Sequence, residues 1–82
     1  MPVKNALPIY VQISEMLIRD VSAGHYLDGA RLPPERQLAT DLGVSVTTLR
    51  KALDDMAQKG MLQKRQGSGN YIKKGAKLAS VY

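Results

Sequence analysis

Apolar residues recur at helical spacing in three stretches of the chain, and the pattern then changes. In the first, Ile9, Ile13, Met16, Leu17 and Val21 return every three or four positions, while Gln12, Glu15, Arg19 and Asp20 fall mostly off that stripe. The spacing predicts an amphipathic helix from about Pro8 to Ala23. Pro8 suits a first turn, where a missing N–H costs no intrahelical bond, and Gly24 suits the exit. A shorter segment opens at Pro34, with Glu35 placed against the positive end of the helix dipole. Leu38, Ala39 and Leu42 share its apolar face until Gly43 breaks it. The third helix is expected from Ser45, a good capping residue, to about Lys59, with Leu49, Ala52, Leu53 and Met56 turned inward and Gly60 ending it.

Between the first two helices, GHYLDGARLPP is punctuated by Gly24, Gly29 and the Pro33–Pro34 pair, and its Ala30 to Leu32 segment suits a brief strand pairing. After Gly60 the period becomes that of extended chain. MLQKRQ, GSG and NYIKK read as a β-hairpin with Leu62 and Tyr71 or Ile72 on the buried side and Lys64, Arg65 and Lys73 in solvent. Gly67 and Gly69 leave the tip free of bulk, so it can approach a backbone or groove closely. The expected fold class is mainly α with a small β-hairpin (α+β). It is a winged helix-turn-helix of three helices plus a two- or three-stranded wing sheet. Residues 1–73 make up that domain. Residues 74–82 read as the start of a linker, since Leu78, Val81 and Tyr82 have no place in the core just described.

Charge separates the two halves. The 82 residues carry a net charge of +5. Through Val44 the four basic residues are outweighed by five acidic ones, for a net of −1; from Ser45 onward eight basic residues face only Asp54 and Asp55, for a net of +6. A field concentrated in this way suits a polyanion partner. It also gives the third helix a specific set of outward groups near its start: Thr47, Thr48, Arg50 and Lys51. Arg36, in the first turn of the preceding helix, lies close enough to join them. Arginine can bond guanine O6 and N7 bidentately, and threonine suits a phosphate or a thymine methyl.

Other chemistry is poorly supported. There is no Cys, and His25 is a lone histidine suited to packing or capping, so no metal site and no nucleophile–base pair is expected. The GSG segment is followed by no helix and does not make a phosphate loop. The expectation is a non-enzyme without cofactor or metal. No apolar run reaches signal-peptide or membrane-spanning length, which points to a cytoplasmic protein.

The motifs LPIYVQI, GHYLDGARLP, PERQLATDLGVS, TTLRKAL and GMLQKRQGSGNYI, in that order, resemble the amino-terminal domain of the GntR family of bacterial transcriptional regulators, over about Leu7 to Lys73. The resemblance implies operator binding by a dimer, a repressor most commonly, controlled by a small-molecule effector on a carboxy-terminal domain. It implies that Arg36 and the start of the third helix (Ser45, Val46, Thr47, Thr48, Arg50, Lys51) meet the major groove. The wing (Lys64, Arg65, Gln66, Gly67, Ser68, Gly69) would also contact the DNA, its tip, residues 67–69, entering the adjacent minor groove. Two residues depart from the family pattern: Val46 stands where Arg is common, and Pro34 where Ser is. Both bear on sequence preference more than on DNA binding. Alternative readings are a winged-helix protein-interaction module, or the DNA-binding part of a fused aminotransferase-like regulator.

Overall fold

A computed structural model describes residues 7–73. Three helices precede a hairpin: α1 (Ile9–Ser22), α2 (Glu35–Leu42), α3 (Val46–Gln58), β1 (Leu62–Arg65) and β2 (Gly69–Ile72). The boundaries follow the punctuation in the sequence. Pro8 and Pro34 occupy the N-cap positions of α1 and α2, neither with a side-chain cap. Gly43 ends α2 in the left-handed conformation at φ 73°, which a Cβ would disfavour. Ser45 caps α3 by accepting a bond from the Thr48 backbone N–H at 3.0 Å.

The core is formed where α1 and α2 pack on α3, with the hairpin closing one end. Leu17, Val21, Leu38, Leu49, Leu53, Met56, Leu62 and Ile72 are buried together. In the antiparallel hairpin Leu62 pairs with Ile72 and Arg65 with Gly69, so the two apolar partners at the open end face the helices. The segment before α2 adds a single bridge between Arg31 and Tyr71. Ile72 N–H donates to the Ala30 carbonyl at 2.8 Å, and Leu32 N–H to that of Asn70 at 2.9 Å. The wing is therefore a two-stranded sheet with a one-residue third partner.

One expectation about α1 is corrected. Ile9 does not belong to its buried stripe, being 54% exposed, and Ser14 is fully buried in its place. Ser14 lies three residues before Leu17 and seven before Val21, on the centre line of the face that meets α3. Ile9, at the helix's first position, projects past that contact. Among the described residues, no helix is long and apolar enough to cross a membrane. The segment 74–82, read above as the start of a linker, lies outside the described residues.

Candidate nucleic-acid interface

The exposed beginning of α3 is held from two sides. Arg50 Nε donates to Glu35 Oε1 at 2.9 Å, which ties α3 to the first residue of α2. The other oxygen of Glu35 accepts from Asn70 Nδ2 at 3.2 Å, which ties α2 to β2. One carboxylate thus links three elements. These bonds, Arg50's first and Asn70's second, hold the Glu35 carboxyl below its ordinary range against the opposing effect of burial. A further tie runs from Lys64 Nζ on β1 to Asp54 on α3. The wing is consequently fixed relative to the start of α3.

The expected site residues fall into distinct environments. Arg36, Ser45, Thr47, Arg50, Lys51, Lys64, Arg65, Gln66, Gly67 and Ser68 are exposed; Val46, Thr48 and Gly69 are half-buried. Ser45 and Thr48 spend much of their hydrogen-bonding capacity on each other, since Ser45 Oγ also donates to Thr48 Oγ1 at 3.0 Å. Val46 packs in part against the core. Lys51 borders a separate cleft with Tyr10 and Asp54, on the α1 side of α3. It stands apart from the cleft that joins the wing to α2.

That second cleft, of about 600 Å³, is open to solvent and runs between the α2 entry (Pro33, Pro34, Glu35) and the wing tip (Gln66, Gly67, Ser68). Residues 66–68 make the turn, closed by a bond from Ser68 N–H to the Arg65 carbonyl at 2.9 Å. Gly67 has φ 78° and Gly69 φ 129°, both in the region that favours glycine. On the sheet face turned away from the core, Arg65 lies over the Tyr71 ring at 4.8 Å, and the Tyr71 hydroxyl meets Ser68 Oγ at 2.6 Å. Together these features make a polar, largely cationic surface with a slim projecting tip. Among the described residues no His, Cys, Asp or Glu group is arranged to hold a metal ion.

Sequence reasoning gave Glu35 only a helix-dipole role and did not name Asn70 or Arg31 as site residues, yet these three organise this surface. Asn70 had a signal. It alternates with Ile72, so a polar residue stood at an inward-facing strand position and required a buried partner. Arg31 had a weaker one, the brief strand pairing expected of Ala30 to Leu32, but which strand it joins follows only from the Arg31–Tyr71 bridge.

Comparison with known proteins gives a consistent result. The family model described as bacterial regulatory proteins, gntR family, matches residues 9–72. The HTH-type transcriptional regulator SmoD of Agrobacterium fabrum is 52% identical over 77 residues, covering 94% of this chain and 33% of that protein. The mannosyl-D-glycerate transport/metabolism system repressor MngR of Escherichia coli is 38% identical over 66 residues, covering 80% and 28%. The chain therefore spans about a third or less of the length of these curated relatives. Among solved structures, the DNA-binding domain of AraR in complex with operator ORE1 is similar at TM-score 0.77 and 35% identity, covering 80% of each chain. A GntR family transcriptional regulator from Listeria monocytogenes is similar at TM-score 0.80 and 29% identity, covering 88% of this chain and 63% of that one.

Proposed function

Because this chain belongs to the GntR family of bacterial regulatory proteins, as a helix-turn-helix DNA-binding domain, we propose a specific division of labour on double-stranded operator DNA. The start of α3 enters the major groove, and the 66–68 tip lies at the neighbouring minor groove. One observation carries this reading: Glu35 and Asp54 fix the α2 entry, α3 and the wing into a single exposed polar surface. The AraR domain, similar over four-fifths of this chain, was solved with operator DNA. Its likeness supports the same use here.

In this reading Arg36 and Arg50 present donors to base edges and Thr47 contacts a phosphate or a thymine methyl. Lys64, Arg65 and the amide-rich tip contact the backbone. Arg50 exchanges its bond to Glu35 for a base or phosphate, so Glu35 presets its position and suppresses its attraction to arbitrary DNA. Val46, packed partly on the core, leaves only an apolar edge for the groove, and this distinguishes the sequence preference from that of relatives with Arg there. Two copies bind a two-fold symmetric site, the full-length protein acts as a repressor, and a small-molecule effector acts through a part outside this chain. MngR, a repressor by name, supports that choice of sign.

Selection of bound duplexes from a random library tests the proposal. The expected outcome is an enriched two-fold symmetric sequence. Binding to it should weaken with salt at a log–log slope near −7, from roughly 8 phosphate contacts per dimer. No enrichment, or affinity indifferent to salt, contradicts it.

A further inference from the structure

We propose that Arg31, in the loop before α2, is a phosphate-binding residue of the wing. The inference rests on the DNA-binding reading and adds a contact that neither the helix-turn-helix nor the hairpin supplies. Arg31 is remote from the tip in sequence, but its bridge to Tyr71 makes it the third partner of the sheet. Its side chain then runs along the hairpin toward the tip. A Cβ built on Gly69 would lie 2.9 Å from Arg31 Nε, 3.5 Å from Nη2 and 3.6 Å from Cζ. The guanidinium therefore rests in the space that the missing side chain of Gly69 leaves open, at the first residue of β2 after the turn. Gly69 serves the close approach of Arg31 as well as the turn.

Of the cations that line this cleft, Arg31 and Arg65 are the two without an ion pair among the described residues. Arg50 is paired with Glu35, and Lys64 with Asp54. Arg31 is exposed, and among the described residues it makes no ion pair. It borders the same cleft as Gln66, Gly67 and Ser68. Gly69 is the strand partner of Arg65, so Arg31 and Arg65 occupy one face of the hairpin, with Arg65 set over Tyr71 and Arg31 over Gly69. Two cations on one face, neither paired with a carboxylate among the described residues, suit a bridging anion. A tip at the minor groove brings the flanking DNA phosphate to this face, where a guanidinium bonds it with charge assistance.

The test compares Arg31→Met, which keeps the stem over Gly69 and removes the charge, with Arg31→Lys, which keeps the charge. Fluorescence anisotropy is measured on the duplex selected for the wild-type chain and on a scrambled duplex, across a salt series. Arg31→Met is expected to weaken both by about tenfold, the effect of losing one charge-assisted hydrogen bond. Its salt slope should be shallower by about 1 for each protomer bound. Arg31→Lys is expected to retain most of the affinity and the wild-type slope. Wild-type affinity and slope in Arg31→Met overturn the proposal and leave Arg31 as a strut for the turn. A loss confined to the selected duplex also overturns it, in favour of base reading. If the wild-type chain binds neither duplex, the DNA-binding reading itself has failed, and the phosphate role of Arg31 falls with it.

Discussion

Two carboxylates on either side of α3 receive similar bonds and serve opposite ends. Asp55, on the α1 side, accepts from Ser14 Oγ at 2.6 Å and pairs with Lys59 one turn later at 3.0 Å. Glu35, on the wing side, accepts from Arg50 and Asn70. Both are held below their ordinary range by hydrogen bonds, Asp55 chiefly by Ser14 and Glu35 chiefly by Arg50. The difference lies in what the donor gives up. Ser14 is fully buried and has no alternative partner in water, so its bond fastens α1 to α3. The Arg50 side chain is 64% exposed and can leave Glu35 for a stronger acceptor. One network holds the fold, and in the proposed reading the other holds a DNA-contacting group in readiness.

Substitutions at the two donors separate these roles. Arg50→Ala is expected to cost about 1–3 kcal/mol of binding per half-site on the selected duplex. Its thermal stability should stay within about 1 kcal/mol of wild type, since the pair it loses is largely exposed. Anisotropy titration and calorimetry check the two halves of that statement. Ser14→Ala should show the reverse, a loss of about 1–2 kcal/mol in denaturant unfolding with DNA affinity unchanged under conditions where the variant is folded. If Ser14→Ala reduced binding while leaving stability intact, the contrast between the two sides of α3 would collapse.

A finer effect comes from acid. Each carboxyl has a lower pKa folded than unfolded, so each contributes stability that is complete above the unfolded value and lost as pH falls through the folded one. Wild-type stability should begin to decline near about pH 5 and continue to fall below about 4. In Ser14→Ala the acid decline should be shallower, because the main cause of the Asp55 depression is gone; Arg50→Ala should flatten the share that belongs to Glu35. Urea unfolding at a series of pH values measures both. An acid limb unchanged in both variants would mean that neither bond persists in solution.

The same contrast explains what was legible in the sequence. Helix limits followed from Pro8, Pro34, Gly43, Ser45 and Gly60, whose effects are local and need no knowledge of the fold. The basic wing and the outward residues of α3 were equally local. What escaped were contacts made across long separations: Ser14 with Asp55, Glu35 with Asn70, and Arg31 with Gly69. Periodicity reports which face of an element is buried, but not which polar group meets it there. Ser14 lay on the buried stripe of α1 all along, and its polarity hid it behind the more apolar Ile9. Arg50 and Lys64 were expected as free outward cations, because charge along the chain does not reveal a carboxylate delivered by another element.

The most direct test of the account is the ratio of affinities for the selected and scrambled duplexes, measured for the wild-type chain and for Arg36→Ala and Lys64→Ala. Wild type is predicted to favour its selected duplex by at least about 1,000-fold at moderate salt. Arg36→Ala should reduce that ratio by about tenfold or more, whereas Lys64→Ala should weaken both duplexes in equal proportion. A wild-type ratio near one, or a ratio that Arg36→Ala leaves intact, would contradict the assignment of sequence reading to the α2–α3 surface.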